Sequence, residues 1–259
     1  MKVTIIGAGN MGGAIARGLL SSRFISATEL TVCETNDSLR GAFSALGAQT
    51  TVSAAEGAAD ADIVILAVKP WLAEEISKTI SPAIEKGRGI VCSVAAGVEL
   101  ETLGNHFRGP VFRIMPNIAA TVGESMTFIT SQNASRDQVN LICSLFKPLG
   151  EVMEIPESQM DAGMALASCG IAFAFRYIRA SIEGAVELGI APATAQKVVL
   201  QTLVGATSLL SRNNSHPEAE IDKVTTPGGT TIKGLNAMEK NGFTNSVIEG
   251  LKASAPKKK

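Results

Sequence analysis

A short β-forming run, Lys2-Val3-Thr4-Ile5-Ile6, ends on Gly7-Ala8-Gly9-Asn10-Met11-Gly12 and passes at once into helically spaced sequence, "NMGGAIARGLLSS". A strand that turns this tightly into a helix is the start of a βαβ unit, whose second strand lies parallel to the first after a right-handed crossover. The chain keeps that rhythm through "ELTVCE", "SLRGAFSALG", "ADIVILAV", "WLAEEISKTISPAI", "GRGIVCSVA", "VELETLGNHF" and "PVFRIM", alternating strand and helix. "ADIVILAV" and "GIVCSVA" are apolar without alternation, as strands covered on both faces are. "ESMTFITS", a helix over "SRDQVNLICSLFKPLG" and "EVMEI" extend the sheet. An α/β domain with a largely parallel sheet is therefore expected over residues 1–155.

The opening turn fits GxGxxG, a pattern that many glycine-rich turns match by chance. Here it has the strand before and the helix after that a dinucleotide site requires, which favours a Rossmann-type domain over a plain tight turn. Gly7 permits the turn, Gly9 lets backbone approach a pyrophosphate, and Gly12 lets helix and strand pack closely. The helix N-terminus faces the phosphates with unpaired N–H groups. Glu34 ends the second strand, about 20 residues on, where an acid binds the ribose 2′-OH of NAD. Thr35, Asn36 and Ser38, with Arg40 nearby, can instead hydrogen-bond a 2′-phosphate, and Glu34 can be a solvated strand end. The choice between NADPH and NADH stays open at this point. In "AVKP", Lys69 lies at the carboxyl edge of the sheet, where open α/β folds bind ligands, and Pro70 suits a first helical turn. Asn117, in "MPN", either donates to a ligand or caps a turn.

From residue 156 the β pattern stops. "SQMDAGMALASCGIAFAFRYIRASIEGAVELG" runs without proline over 158–189, and its first part is apolar around the whole circumference, the mark of a buried helix. Val199, Leu203, Ala206 and Leu210 form one helical stripe. About a hundred residues of such helix cannot bury themselves alone, so 156–259 is expected to be a helical domain through which two subunits interlock. The charge balance of −1 argues against a nucleic-acid partner. Cys33, Cys92, Cys143 and Cys169 form no CxxC pair, no metal-ligand spacing is present, and no signal peptide is recognisable, so a cytoplasmic protein with reduced thiols is expected. "MALASCGIAFAF" is shorter than the ~20 residues of a membrane span. The final Pro256-Lys257-Lys258-Lys259 reads as a solvated tail.

One stretch breaks the helical half: "TTPGGTT", residues 225–231. Thr230 or Thr231 is a natural N-cap for the helix that follows. Glycines leave N–H groups uncovered, and the helix dipole adds positive potential, so the turn is either a rigid cap or a cup for a small carboxylate. "TTPGGTTIKGL" resembles the signature of pyrroline-5-carboxylate reductases. "IGAGNMGGAI", "AVKP", "SVAAGV", "RIMPN" followed by "GESMT", and "HPEAEIDKVTTPGGTTIKGL" match that family in order and spacing along the whole chain. The resemblance implies a Rossmann domain followed by an intertwined helical dimerisation domain, and reduction of 1-pyrroline-5-carboxylate to L-proline with NADPH or NADH. It implies that Thr231 hydrogen-bonds the substrate nitrogen, and that Thr226, Gly228, Gly229 and Thr230 bind the carboxylate largely through backbone N–H. Gly9, Asn10, Met11 and Gly12 are implied to hold the pyrophosphate, and Ala67, Lys69, Pro70, Ala95 and Asn117 to line the nicotinamide half. In the family the substrate loop comes from the partner subunit or lies at the dimer seam, and higher homo-oligomers are compatible with it. The chain departs from the family's "ALSGSGPAY" at 165–173, which reads "ALASCGIAF" here. Ala165, Leu166, Gly170 and Ala172 persist, and Asp161 upstream matches. Ala167, Ser168, Cys169 and Ile171 replace small residues and proline, which should alter helix packing and one wall of the substrate pocket.

The histidine inventory fits imine chemistry. Only His106 and His216 exist, and neither looks like a general acid. Reducing a ketone makes an alkoxide that needs a proton donor; hydride addition to a protonated imine gives a neutral amine. Two rivals remain: a β-hydroxyacid dehydrogenase, which needs a catalytic Lys that residues 157–189 lack, and a non-catalytic NAD(P)-binding regulatory protein.

Overall fold

A computed structural model describes residues 1–87 and 89–255; the expected C-terminal tail lies outside the described residues. The N-terminal unit is built on one eight-stranded sheet in the order β3-β2-β1-β4-β5-β6-β7-β8. Its strands are β1 (Val3–Ile6), β2 (Leu30–Cys33), β3 (Gln49–Thr51), β4 (Ile63–Leu66), β5 (Ile90–Ser93), β6 (Val111–Met115), β7 (Ser125–Gln132) and β8 (Gly150–Glu154). All neighbours pair parallel except β6 and β7, so the sheet is largely parallel with two reversed strands at one edge.

Every residue of β1, β4, β5 and β6 is buried, because the sheet separates two apolar layers. Ile63 and Ile65 point into one with Ile5, Ile15, Phe112 and Phe146. Val64 and Leu66 point into the other with Ile80, Leu103 and Phe107. Each such side chain contributes about 1.5–3 kcal/mol by burial, which locks the register of both strand faces. The helices are α1 (Asn10–Ser21), α2 (Asp37–Ser44), α3 (Ala54–Ala58), α4 (Pro70–Gly87), α5 (Leu100–Gly104) and α6 (Arg136–Phe146). Neither β3 nor α3 is foreshadowed by the sequence pattern. Three threonine- and glutamine-rich residues carry no periodicity, and β3 exists because β2 offers it a free edge.

Past the sheet come α7 (Met160–Gly163), a π-helical turn (Met164–Cys169), α8 (Gly170–Glu187), α9 (Pro192–Asn213), α10 (Pro217–Val224), α11 (Thr230–Lys240) and α12 (Phe243–Ser254). By contacts the chain divides between Ser168 and Cys169. Residues 156–168 are helical in pattern, yet they pack on the sheet unit. Met160 is buried against Met115 and Phe128, and Arg113 of β6, only 2 % exposed, pairs with Asp161 at 2.7 Å and Glu157 at 3.6 Å.

In the C-terminal unit α8 packs with α9, and α11 with α12. Tyr177 and Phe243 meet edge to face, with ring centroids 6.5 Å apart. Apolar character did not translate into burial within the single chain. α8 has no buried residue, and among the described residues from 170 onward only Ala195 is buried. Of the expected stripe, Val199, Leu203 and Leu210 are half-buried and Ala206 is exposed. The 31-residue run Glu157–Glu187 has the length and composition to cross a membrane, which the shorter stretch considered in the sequence does not.

Candidate active site

The parallel register sets the carboxyl ends of four strands level: Ile6 lies opposite both Cys33 and Leu66, and Leu66 opposite Ser93. The next residues along, Gly7, Glu34, Ala67 and Val94, form a rim where the strand order reverses direction about β1. That is where a doubly wound sheet opens a crevice. A cavity of about 620 Å³ occupies it. Gly7, Gly9, Asn10, Met11, Glu34, Ala67, Lys69 and Ala95 line it, together with Thr35, Val52 and Leu72. Gly12, Asn36, Pro70 and Asn117 do not line it.

The three motif glycines do three separate things. Gly7 has φ +95°, and a Cβ there would stand 2.6 Å from Ala67 O. Gly12 is packed within α1, where a Cβ would collide with the carbonyl oxygen of Gly7 and meet Ala67 Cβ at 2.8 Å. At Gly9 a Cβ would have nothing within 4 Å, because it faces the opening. Gly9 is also the N-cap of α1, with no side-chain cap and no acid in the first turn. N–H groups at that end lack intrahelical partners, so the helix dipole meets the cavity with no acid of its own first turn against it. This cradle fits a pyrophosphate.

Glu34 is held rather than free. Its Oε2 accepts the Ala8 N–H at 2.7 Å and its Oε1 the Asn36 N–H at 2.9 Å. Partial burial pushes its acidity toward the neutral form, but the N–H donors of Asn36, Ala8 and Thr35 outweigh it, so the carboxyl sits below the usual Glu value. Asn36 caps α2, its Oδ1 accepting from Leu39 N–H at 3.1 Å. The Cys33 thiol is pushed up to about 12, first by burial and then by the charge of Glu56, which makes it inert as a nucleophile. Pro70 opens α4. Asn117 is the turn cap of the two readings. It is 7 % exposed, its Oδ1 accepts from Ala119 N–H at 3.0 Å, and its Nδ2 donates to Ala167 O at 3.4 Å.

The second predicted cluster, Thr226 to Thr231, lies on the C-terminal unit. Thr226 O accepts the Gly229 N–H at 2.9 Å, and Gly228 takes φ +73°, as a Pro-Gly turn of type II requires. The expected threonine cap is not what forms. Gly229 is the N-cap of α11, with no side-chain cap hydrogen bond, and Thr230 and Thr231 open the helix with exposed side chains. The proline sets the turn one residue earlier than a threonine cap would need. The free donors at this mouth are therefore those of the first helical turn, while the N–H of Gly229 closes the turn itself. Neither histidine lines the sheet cavity: His216 caps α10 through Nδ1, which accepts the Glu218 N–H at 3.2 Å, and His106 lies edge-on to Phe107.

Sequence reasoning missed the apolar wall from Val52, Ala54, Leu72 and Ile76. Its first two members follow the unforeseen β3, and no local pattern marks them.

Residues 157–259 match the family model described as pyrroline-5-carboxylate reductase dimerisation. Residues 2–97 match the one described as NADP oxidoreductase coenzyme F420-dependent. The chain is 34 % identical to pyrroline-5-carboxylate reductase of Synechocystis sp. (strain ATCC 27184 / PCC 6803 / Kazusa), covering 98 % of this chain and 96 % of that one. It is also 34 % identical to pyrroline-5-carboxylate reductase 1 of Dictyostelium discoideum, with 98 % of this chain aligned but about half, 49 %, of that relative's length. The crystal structure of Plasmodium falciparum pyrroline carboxylate reductase with NADP bound superposes with a TM-score of 0.90 at 25 % identity, covering 98 % of this chain and 95 % of that one.

Proposed function

The chain belongs to the pyrroline-5-carboxylate reductase family and reduces 1-pyrroline-5-carboxylate to L-proline with NAD(P)H, the last step of proline biosynthesis; we propose how its own residues do so. The observation that carries this reading is that each of the two sites expected from the sequence, one on each unit, falls at a helix mouth whose N-cap is glycine. One, at Gly9, opens on a cavity at the sheet's switch point. The other, at Gly229, opens on a hydroxyl-rich turn. The first suits a pyrophosphate and the second a single small carboxylate.

NAD(P)H supplies the hydride when bound. Gly7, Gly9, Asn10 and Met11 receive the pyrophosphate, with Gly12 fixing the helix behind them. Ala67, Lys69 and Ala95 form the far wall, Pro70 sets the start of α4 and Asn117 stiffens the loop after β6. On the other unit, the first-turn N–H groups of Thr230 and Thr231 bind the substrate carboxylate. Thr226, Gly228 and Gly229 hold the turn that presents them, and the Thr231 hydroxyl hydrogen-bonds the ring nitrogen. No strong general acid is required, because the protonated imine becomes a neutral amine. Both histidines are accordingly free to serve structure. Positioning alone is worth up to about 7–11 kcal/mol of barrier.

The family's dimerisation match and the exposed apolar α8 and α9 support a homodimer formed through the C-terminal helices. A second copy, rather than lipid, covers the apolar run. Arg176, Arg179 and Glu183 lie along it, and Arg179 and Glu183 pair on its surface at 2.8 Å.

The test follows NADH and NADPH absorbance with pyrroline-5-carboxylate, against a hydroxyacid control. Oxidation of NADH or NADPH by the imine alone supports the assignment; reduction of NAD⁺ or NADP⁺ by the hydroxyacid, or reaction with neither, removes it. T231A should lower kcat/KM by about tenfold or more, since a hydrogen bond to a charged group contributes roughly 1.5–3 kcal/mol. Cofactor affinity should hardly change.

A further inference from the structure

We infer that this chain selects NADH over NADPH, and that Glu34, together with the sequestering of Arg40, makes the selection. The inference rests on the reductase reading above and concerns the 2′ position of the adenosine ribose, the one place where the two cofactors differ.

The carboxylate of Glu34 lines the cavity on the β2 side of the glycine turn. It is not a swinging surface charge. One oxygen is pinned by an N–H of the glycine turn, Ala8, at 2.7 Å and the other by the N–H of Asn36 at 2.9 Å. Oε2, with the Ala8 N–H as its one donor, keeps a lone pair, so the group can still accept from a ribose hydroxyl. A 2′-phosphate brings a charge of roughly −1.5 to −2 at neutral pH and meets a fixed negative charge instead.

An NADPH site needs a cation to offset this, and the cations near the end of β2 are otherwise engaged. Arg40 donates from Nη1 to Glu34 O at 3.0 Å, and its Nη2 is paired with Asp37. Arg17 is stacked over Phe43 at 5.4 Å. Lys69 follows β4, on the other side of β1. The Thr35 hydroxyl points to Glu34 Oε1 at 3.4 Å, and Asn36 Oδ1 caps α2. Among the described residues at the end of β2, neutral donors remain for a phosphate, but no unengaged cation.

The experiment is calorimetric titration of the full chain with NAD⁺, NADP⁺, ADP-ribose and 2′-phospho-ADP-ribose, which needs no turnover. The wild type should bind NAD⁺ and ADP-ribose about tenfold or more tighter than their 2′-phosphorylated counterparts, a difference readily resolved in Kd. E34Q, which removes the charge, and D37S, which releases Arg40 without touching the glycine turn, should each narrow that ratio, chiefly by tightening the phosphorylated ligand. Equal or tighter binding of the phosphorylated pair by the wild type overturns the inference, as does a ratio that both variants leave unchanged. A confirmed ratio with no imine-dependent oxidation would sink the reductase reading alone. Turnover that favours NADPH would sink the selection alone.

Discussion

Gly9 and Gly12 sit three residues apart and respond oppositely to the same methyl group. In G12A the added carbon runs into the carbonyl oxygen of Gly7 and the Cβ of Ala67. Backbone cannot yield as a side-chain tip can, so overpacking here should cost about 1–3 kcal/mol and lower Tm. In G9A nothing lies within 4 Å, so stability should stay within about 0.5 kcal/mol of wild type. The same methyl occupies the approach to the helix mouth, and NAD⁺ affinity should fall about tenfold, some 1.4 kcal/mol. Thermal melts and cofactor titration of both variants check the pair. A G9A protein that binds like wild type would place the phosphates elsewhere. Glu34 adds a pH dependence of known sign: its carboxyl is depressed in the folded state. The contribution of this latch is therefore present above the ordinary Glu value and is lost as pH falls through the lower folded value. Acid titration of stability should show E34Q missing that limb.

At the scale of elements, residues 157–168 decide how the helical half begins. Arg113 is buried on β6 with its Nε unpaired, and its charge is balanced by Asp161 and, at longer range, Glu157. D161A leaves that guanidinium half-compensated and should destabilise by about 3 kcal/mol, the lower end for breaking a buried pair because Glu157 remains. D161N, which keeps an acceptor, should lose less; equal losses in chemical denaturation would show that the pair's charge is irrelevant. The π turn at Met164–Cys169 covers most of the stretch where this chain departs from its family's usual residues. There Ser168 donates to Pro116 O at 2.9 Å, a contact glycine cannot make. None of this was legible in the sequence. A π turn follows from how the helix packs, and the run reads there as one unbroken helix. β1, β4 and β5, by contrast, were legible because burial on both faces demands unbroken apolar runs. The glycine turn was legible because few residues meet its sterics. The threonine cap misread α11, because Pro227 and Gly228 move the turn forward and make Gly229 the cap.

At the scale of the whole molecule, the sheet unit buries most of its apolar residues, and the helical unit, among the described residues, buries only Ala195. Leu200 and Val204, one turn apart on α9, are 43 % and 56 % exposed, and Phe175 and Leu209 are more than half exposed. The sequence announced this apolar material, but a pattern along one chain cannot say which chain covers it. If a second copy does, burial of these faces links folding to association, and Tm should rise with protein concentration. V204E separates the possibilities. On a face that stays in water, a surface glutamate changes stability by no more than about 0.5 kcal/mol and leaves the mass alone. On a face closed by a partner, the carboxylate must lose its water without a counter-charge, a penalty of several kcal/mol per ion that occurs in both subunits of a symmetric pair. Light scattering at micromolar concentration should therefore give a dimer or larger assembly for wild type and a monomer for V204E, with a lower Tm for the variant. A V204E protein with wild-type mass would move the interface off this face of α9, and a monomeric wild type would leave α8 and α9 without the second copy that their composition requires.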